Sequence, residues 1–202
     1  MISNDTHIVA AAVNLDIDYA RMTAELMPLM QSKQCVAFSY PSDGHEVTAY
    51  SLFLRVSHEE TAYSYRGAKS ADFDSWRWDP ELCLDYTRTV VDSMPWQSLG
   101  TVRVVYFPDI ACVEHTDWDD PTDTEHTLGL SIIPNTAATH CNVWYAKENR
   151  YISLASNAML LNDSVRHNVP AGRGTRITMR VFGRIDYTWF NDKIDPQHCY
   201  YL

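Results

Sequence analysis

His115 and Asp117 stand two residues apart in the run EHTDWDD, residues 114–120; His167 comes fifty residues after Asp117, and Arg176 nine after that. In a β-strand, residues i and i+2 point to one face, so the imidazole of His115 and the carboxylate of Asp117 can reach a single cation. His167 would supply a third ligand. Two imidazoles retain a borderline divalent metal, the carboxylate offsets its charge, and three ligands on one side leave positions open for other molecules. Arg176 lies across the turn "PAGRG" from His167 and carries a planar, two-pronged donor, which suits a carboxylate as a lysine would not. A small diacid chelating the metal at one end would place its far carboxylate there.

The His-x-Asp pair is weak by itself. With 8 His and 26 Asp+Glu in 202 residues, chance alone gives about one His-x-Asp/Glu. The chain has a second, His58-Glu59-Glu60. What separates the two is downstream: the next histidine after His58 is His115, and nine residues beyond it stands Thr124. Order and spacing therefore favour His115, Asp117 and His167, and leave His58 and Glu60 as a solvated charge cluster. Arg173 competes with Arg176 for the diacid, but it sits among turn glycines, which favours Arg176. Arg166 immediately precedes a ligand and is expected to point away from the metal.

The elements that must position these residues are legible in outline. "DIDYARMTAELMPLMQS" has apolar residues at 19, 22, 26, 29 and 30, a helical spacing, with Asp16 or Asp18 as cap and Pro28 expected to bend or end the helix. "CVAFSY" and "VTAYSLFLRV" read as strands around the turn "PSDGHE". "DPELCLDYTRTVVDSM" reads as a second helix, capped by Asp79, with Pro80 in its first turn and Leu82, Tyr86 and Val90 on one face. From residue 101 the pattern changes to short β runs: "TVRVVYF", "ACVEH", "LGLSII", "CNVWY", "RYISL", "AMLLN" and "RITMRVF". His167 is placed at the end of such a run, and a strand begins near Arg176. Seven or so short strands at close spacing imply an α+β domain whose C-terminal half is an antiparallel β-sandwich.

Composition narrows the function classes. The length suits one domain, 1–202, with helices and flanking strands in 1–100, a metal-binding β core in 101–185 and a C-terminal tail in 186–202. A net charge of −10 argues against broad nucleic-acid binding, which needs a basic face. Cysteines 35, 83, 112, 141 and 199 are odd in number, scattered and without C-x-x-C, so they are expected to be reduced core thiols of a cytoplasmic protein. The apolar stretch from Ile8 to Leu15 is too short for a membrane span and lacks the basic start of a secretory signal. Zinc hydrolysis is disfavoured, since no H-x-H-x-D-H or H-E-x-x-H run is present.

The constellation His115-x-Asp117, His167 and Arg176 resembles the Fe(II)/2-oxoglutarate-dependent dioxygenases, and "HNVPAGRGTRITMRVF" looks like that family's closing segment. "LGLSIIPN" followed by "NDSVRHNV" is similar to the aspartyl/asparaginyl β-hydroxylases and the free-proline hydroxylases. The resemblance covers roughly residues 101 to 185. It implies a double-stranded β-helix, a jelly-roll or cupin-like sandwich, buttressed by the N-terminal helices. It implies Fe(II), 2-oxoglutarate and O2, with His115, Asp117 and His167 as the metal ligands and catalytic centre and Arg176 on the C5 carboxylate.

There are departures. Animal aspartyl/asparaginyl hydroxylases lack the carboxylate ligand that Asp117 provides, and a co-substrate tyrosine of the hypoxia-sensing prolyl hydroxylases is replaced by Ile133. Polar groups to complete the 2-oxoglutarate pocket are then Tyr106, His126, Ser131 and Thr178. Thr178 and Arg180 share the face of Arg176 if that segment is a strand. Trp118, His140 and Arg180 are candidate substrate contacts; Trp118, with Asp119 and Asp120, forms either a loop over the pocket or an acidic turn.

The implied reaction is hydroxylation of an unactivated C–H bond, of an amino acid or a peptidyl Pro, Asp or Asn, with release of succinate and CO2. Halogenation is disfavoured because Asp117 is present. Two alternatives stay open: a non-catalytic cupin-like ligand-binding module, and a 2-oxoglutarate oxygenase acting on another small metabolite or nucleic acid. The expected partner is a small-molecule or peptide substrate, with no membrane. Oligomeric state is not readable.

Overall fold

The computed structural model describes residues 7–31, 35–42, 45–57, 73–107, 112–117, 128–134, 140–170 and 176–202. In chain order these form β1 (Ile8–Val13), α1 (Tyr19–Met30), β2 (Val36–Ser42), β3 (His45–Phe53), β4 (Arg55–Ser57), β5 (Trp76–Trp78), α2 (Asp85–Asp92), β6 (Trp96–Phe107) and β7 (Cys112–His115). They continue with β8 (Leu128–Ile132), β9 (His140–Tyr145), β10 (Arg150–Ala155), β11 (Ala158–Asn162), β12 (His167–Val169), β13 (Arg176–Ile185) and β14 (Ile194–Tyr201).

An eight-stranded sheet runs in the order β14-β1-β11-β8-β13-β6-β3-β2, a four-stranded sheet in the order β10-β9-β12-β7, and β4 pairs with β5. All pairings among the described residues are antiparallel. Between β6 and β13 the chain passes back and forth: β6, β8, β11 and β13 lie in the large sheet, β7, β9, β10 and β12 in the small one. This is a double-stranded β-helix, a jelly-roll sandwich.

Alternation along the strands explains the two layers of core. On β13, Ile177, Met179 and Val181 point outward and pack with Met22, Leu26 and Met30 of α1 and Val91 of α2. The next residues in each pair, Arg176, Thr178 and Arg180, therefore face the small sheet. Between the sheets, Ala10, Ala12, Met159 and Leu161 meet Cys141, Val143, Ile152 and Leu154. Because both faces of the large sheet are covered, its central strands read as near-continuous apolar runs, and "AMLLN" of β11 is buried at every position. Gly129 of β8 is required by this packing, since a Cβ there would lie 2.6 Å from the ring of Phe182.

The helices differ from expectation in their ends. Asp18 caps α1, accepting from the N–H of Arg21 at 2.9 Å. Pro28 does not end it; the helix continues to Met30, whose side chain is buried in the outer core. The second helix starts only at Asp85, because Asp79 closes a tight turn instead, accepting from the N–H groups of Glu81 and Leu82. Its N-terminus is capped from α1: the Glu25 carboxylate accepts from the N–H of Tyr86 at 2.7 Å and of Thr87 at 2.8 Å, and from the Thr87 hydroxyl. A carboxylate there satisfies two orphan donors and meets the positive end of the helix dipole. The face that α2 buries carries Leu84, Thr87 and Val91, with Tyr86 and Val90 beside it.

Several strands went unread in the sequence. The stretch Ile8–Val13 is β1, and residues 186–202, expected to be a C-terminal tail, carry β14, which pairs with it. "PSDGHE" is mostly strand, since β2 extends to Ser42 and β3 begins at His45. His167 opens β12 instead of closing a run. No helix among the described residues is long and apolar enough to cross a membrane.

All five cysteines are free, but only Cys112 and Cys141 are buried, and Cys83 is exposed. Burial pushes the Cys141 thiol up to about 11, against the downward pull of Arg176 and Arg180. At pH 8 its reactive thiolate is therefore scarce. Alkylation of the native protein followed by mass spectrometry is expected to modify Cys83 first and Cys141 only on unfolding; early labelling of Cys141 contradicts the packing described.

Candidate metal centre

The three sequence-predicted ligands come together. In the small sheet His167 of β12 lies directly opposite His115 of β7 on one side and Val143 of β9 on the other. Directly opposed residues share a face, so both rings project between the sheets, their centroids 4.4 Å apart. Asp117 follows β7 by two residues. Its carboxylate stands 3.2 Å from His115 Nε2 and 3.8 Å from His167 Nε2.

Each imidazole is oriented in the same way. Nδ1 of His115 donates to the carbonyl of Val113 at 2.7 Å, and Nδ1 of His167 to that of Val165 at 2.9 Å, two residues upstream in both cases. That bond selects the tautomer and leaves each Nε2 turned toward Asp117. One ligand atom from each residue lies within 4.8 Å of the other two. Neighbouring ligands of an octahedral ion with bonds of about 2.1 Å sit roughly 3 Å apart, so the donor set fits one divalent cation approached from one side.

The electrostatics are those of a centre built to hold positive charge. Burial opposes protonation of His115, but its contact with Asp117 and the adjacent Cys112 thiol outweigh it and push its pKa up to about 11. His167 is more deeply buried and is shifted down by desolvation, despite the favourable fields of Asp117 and Asp163. The two rings are thus shifted in opposite directions, His115 toward its protonated form by Asp117 and His167 away from it by burial.

The turn between β11 and β12 supports two of the three candidate ligands. The backbone carbonyl of Asp163 accepts from the N–H of Asp117 at 2.7 Å, and that of Val165 holds the His167 ring. Asn162 shapes the turn: its side chain accepts from Ser164 N–H at 2.9 Å and its carbonyl from Val165 N–H at 3.2 Å. The Asp163 carboxylate, fully buried, is bonded to the guanidinium of Arg180 on β13.

Across the gap, Arg176 opens β13 opposite Phe107 and is partly buried. Thr178, opposite Val105, is on the same inner face, and Ser131 lies beside Arg180. The hydroxyls of Thr178 and Ser131 are buried without a hydrogen-bond partner among the described residues. Leaving a buried hydroxyl without a partner costs about 1–3 kcal/mol, which an acceptor-bearing ligand between the sheets would offset. Ile133 packs into the core between the sheets.

Other expected site residues do not join them. Tyr106 pairs with Ile177 and Tyr50 and packs with the outer core, edge-on to Tyr50 at 6.2 Å. Strand alternation puts it on the wrong face of β6 to line the pocket. Arg180, expected as a substrate contact, has its guanidinium held by Asp163. Arg166 does point away, stacking on Trp144 at 4.8 Å and pairing with Glu114. His140 opens β9, and its side chain lies outside the described residues, as do Trp118, Asp119, Asp120, His126, His58 and Arg173.

Sequence reasoning missed Asp163 and Cys112, whose sulfur sits 3.7 Å from His115 Nδ1. The signal for Asp163 was a lone carboxylate closing the apolar run "AMLLND".

No family model matches the chain, and no curated protein matches it. Among solved structures it is similar to a Pseudomonas putida prolyl-4-hydroxylase, with TM-score 0.50 and 13% identity over 89% of this chain and 93% of that one. It is also similar to a 2OG-Fe(II) oxygenase family oxidoreductase from Burkholderia pseudomallei, with TM-score 0.46 and 12% identity over 84% and 91% of the two chains. AviO1 from Streptomyces viridochromogenes Tue57 gives 0.44 and 15%, over 93% and 89%. The first of these shows the fold the two chains share; at such identity it speaks for the fold alone.

Proposed function

We propose that this protein is a non-haem Fe(II) and 2-oxoglutarate-dependent oxygenase that hydroxylates an unactivated C–H bond, of a free amino acid or of a peptidyl Pro, Asp or Asn. The observation that carries the reading is the juxtaposition across the jelly roll: His115, Asp117 and His167 on one sheet, Arg176 and Thr178 on the other. The substrate class is proposed from the resemblance of "LGLSIIPN" and "NDSVRHNV" to the amino-acid hydroxylases; the solved structure of similar fold is itself that of a prolyl-4-hydroxylase.

His115, Asp117 and His167 would hold Fe(II) from one side, leaving its other positions to the 2-oxo acid and dioxygen. When bound, the iron supplies the redox chemistry in which 2-oxoglutarate becomes succinate and CO2. The chain supplies the rest. Arg176 would pair with the C5 carboxylate through two parallel N–H bonds, and the Thr178 hydroxyl would donate a further one. Ser131 offers a second hydroxyl on the same inner face. The carbonyls of Val113 and Val165 keep both imidazoles neutral at Nε2 once a metal has displaced the proton that His115 holds.

The test is formation of succinate from 2-oxoglutarate by the purified chain. Turnover is expected with Fe(II), absent after chelation, restored by Fe(II) and not by Zn²⁺, which binds such sites but has no redox chemistry. Metal-independent binding with no turnover under any of a set of free amino acids and short Pro-, Asp- or Asn-containing peptides would favour the ligand-binding module instead.

A further inference from the structure

We propose that Asp163, clamped by Arg180, is the positioning residue of the metal centre: it fixes the turn from which both Asp117 and His167 are held. The inference rests on the metal-binding reading of His115, Asp117 and His167. Three observations meet in this turn. The Asp163 carbonyl receives the Asp117 N–H at 2.7 Å, and the Val165 carbonyl receives His167 Nδ1–H at 2.9 Å. Asp163 itself is 0% exposed, and its carboxylate is bonded to Arg180, whose side chain is 12% exposed.

The geometry gives the ion pair a job that stability alone does not explain. The ligands sit on the small sheet, whereas Arg180 belongs to β13 of the large sheet, the strand that also carries Arg176. The Asp163–Arg180 bond thus ties the turn, which begins one residue past β11 and leads from the large sheet into β12 of the small one, to β13, two strands from β11 in the large sheet. A shift of the turn would move two ligands together, one through its backbone N–H and the other through its ring. Residues that orient metal ligands in this way control metal affinity by roughly ten- to a hundredfold.

The probe is Co²⁺, titrated into the full chain and read by its visible absorption and by equilibrium dialysis, with thermal melting beside it. Asp163→Asn keeps the shape and the backbone carbonyl but removes the charge. It is expected to weaken Co²⁺ binding about ten- to a hundredfold and to alter the absorption spectrum. Arg180→Met should do the same, whereas Arg180→Lys, which keeps a cation on the carboxylate, should recover part of the affinity.

A structural role is separated by the double variant Asp163→Asn/Arg180→Met. It leaves no uncompensated buried charge, so its melting temperature should return toward that of the parent, while Co²⁺ affinity stays low. Recovery of Co²⁺ affinity together with Tm would overturn the inference, as would a folded Asp163→Asn protein that binds Co²⁺ like the parent. If Asp163→Asn does not fold, the double variant decides. A parent protein whose Co²⁺ binding survives His167→Ala sinks the metal reading itself, a result that Asp163→Asn alone cannot produce.

Discussion

His167→Ala is expected to lose Fe(II) and all 2-oxoglutarate turnover while remaining folded. The same holds for His115→Ala and Asp117→Ala. Each removes one of three ligand atoms converging within 4.8 Å, and the loss of affinity should exceed the roughly hundredfold that outer contacts govern. Folding should survive because the three side chains line the gap between the sheets beside, not within, the aliphatic clusters. Burial shifts the His167 imidazole below its ordinary value and so disfavours its charged form. Metal content by atomic absorption and succinate formation measure the two consequences, with circular dichroism as the folding control. Full turnover in any of the three variants would exclude this triad.

A second large effect belongs to Arg176. Arg176→Lys keeps a charge but gives up the bidentate geometry, and Arg176→Ala gives up both. A hydrogen bond to a charged group is worth about 1.5–3 kcal/mol, so 2-oxoglutarate affinity should fall by roughly ten- to a hundredfold or more in the alanine variant. Metal binding should hardly change, since Arg176 sits on the opposite sheet from the ligands. Isothermal titration of 2-oxoglutarate into the metal-loaded protein checks both statements. Unchanged affinity in Arg176→Ala, with loss in Arg173→Ala, would mean that the diacid is held by Arg173, ahead of β13, and not by the strand.

These two predictions were already legible in the residues, because the chemistry of the centre is written in local spacing. His115-x-Asp117 uses the two-residue period of a strand, and His167 and Arg176, nine residues apart in the chain, open consecutive strands, β12 and β13. The register of β7 against β12 adds what spacing cannot give: His115 and His167 are direct neighbours across a ladder although fifty-two residues separate them in the chain. Tyr106 was misjudged for the same reason. A polar residue near the right strand looked suitable, but the alternation of β6 is set by its pairing with β13, which puts Val105 inside and Tyr106 outside.

Asp163 was invisible because its roles are non-local, a carbonyl for Asp117 and a carboxylate for Arg180. The delayed start of α2 had a similar origin. Asp79 and Pro80 are valid local start signals, yet the cap that prevails is Glu25, sixty-one residues before Tyr86. β1 and β14 were missed because short apolar or mixed runs do not announce a partner at the other end of the chain.

On the proposed function, the division of the centre between two sheets would make the fold a ruler for a 2-oxo diacid co-substrate. Facing sheets pack about 10 Å apart, and that interval is maintained by the close-packed contacts of Ala10, Ala12, Met159 and Leu161 with Cys141, Val143, Ile152 and Leu154. A 2-oxo diacid joining the proposed ligands of one sheet to Arg176 of the other would have to match the interval in length. One methylene fewer or more displaces its far carboxylate by about an ångström, the scale on which a positioned contact is lost. Selectivity among such acids would then reside in the alanines and aliphatic side chains that hold the sheets apart, residues with no polar atom to offer the molecule they measure.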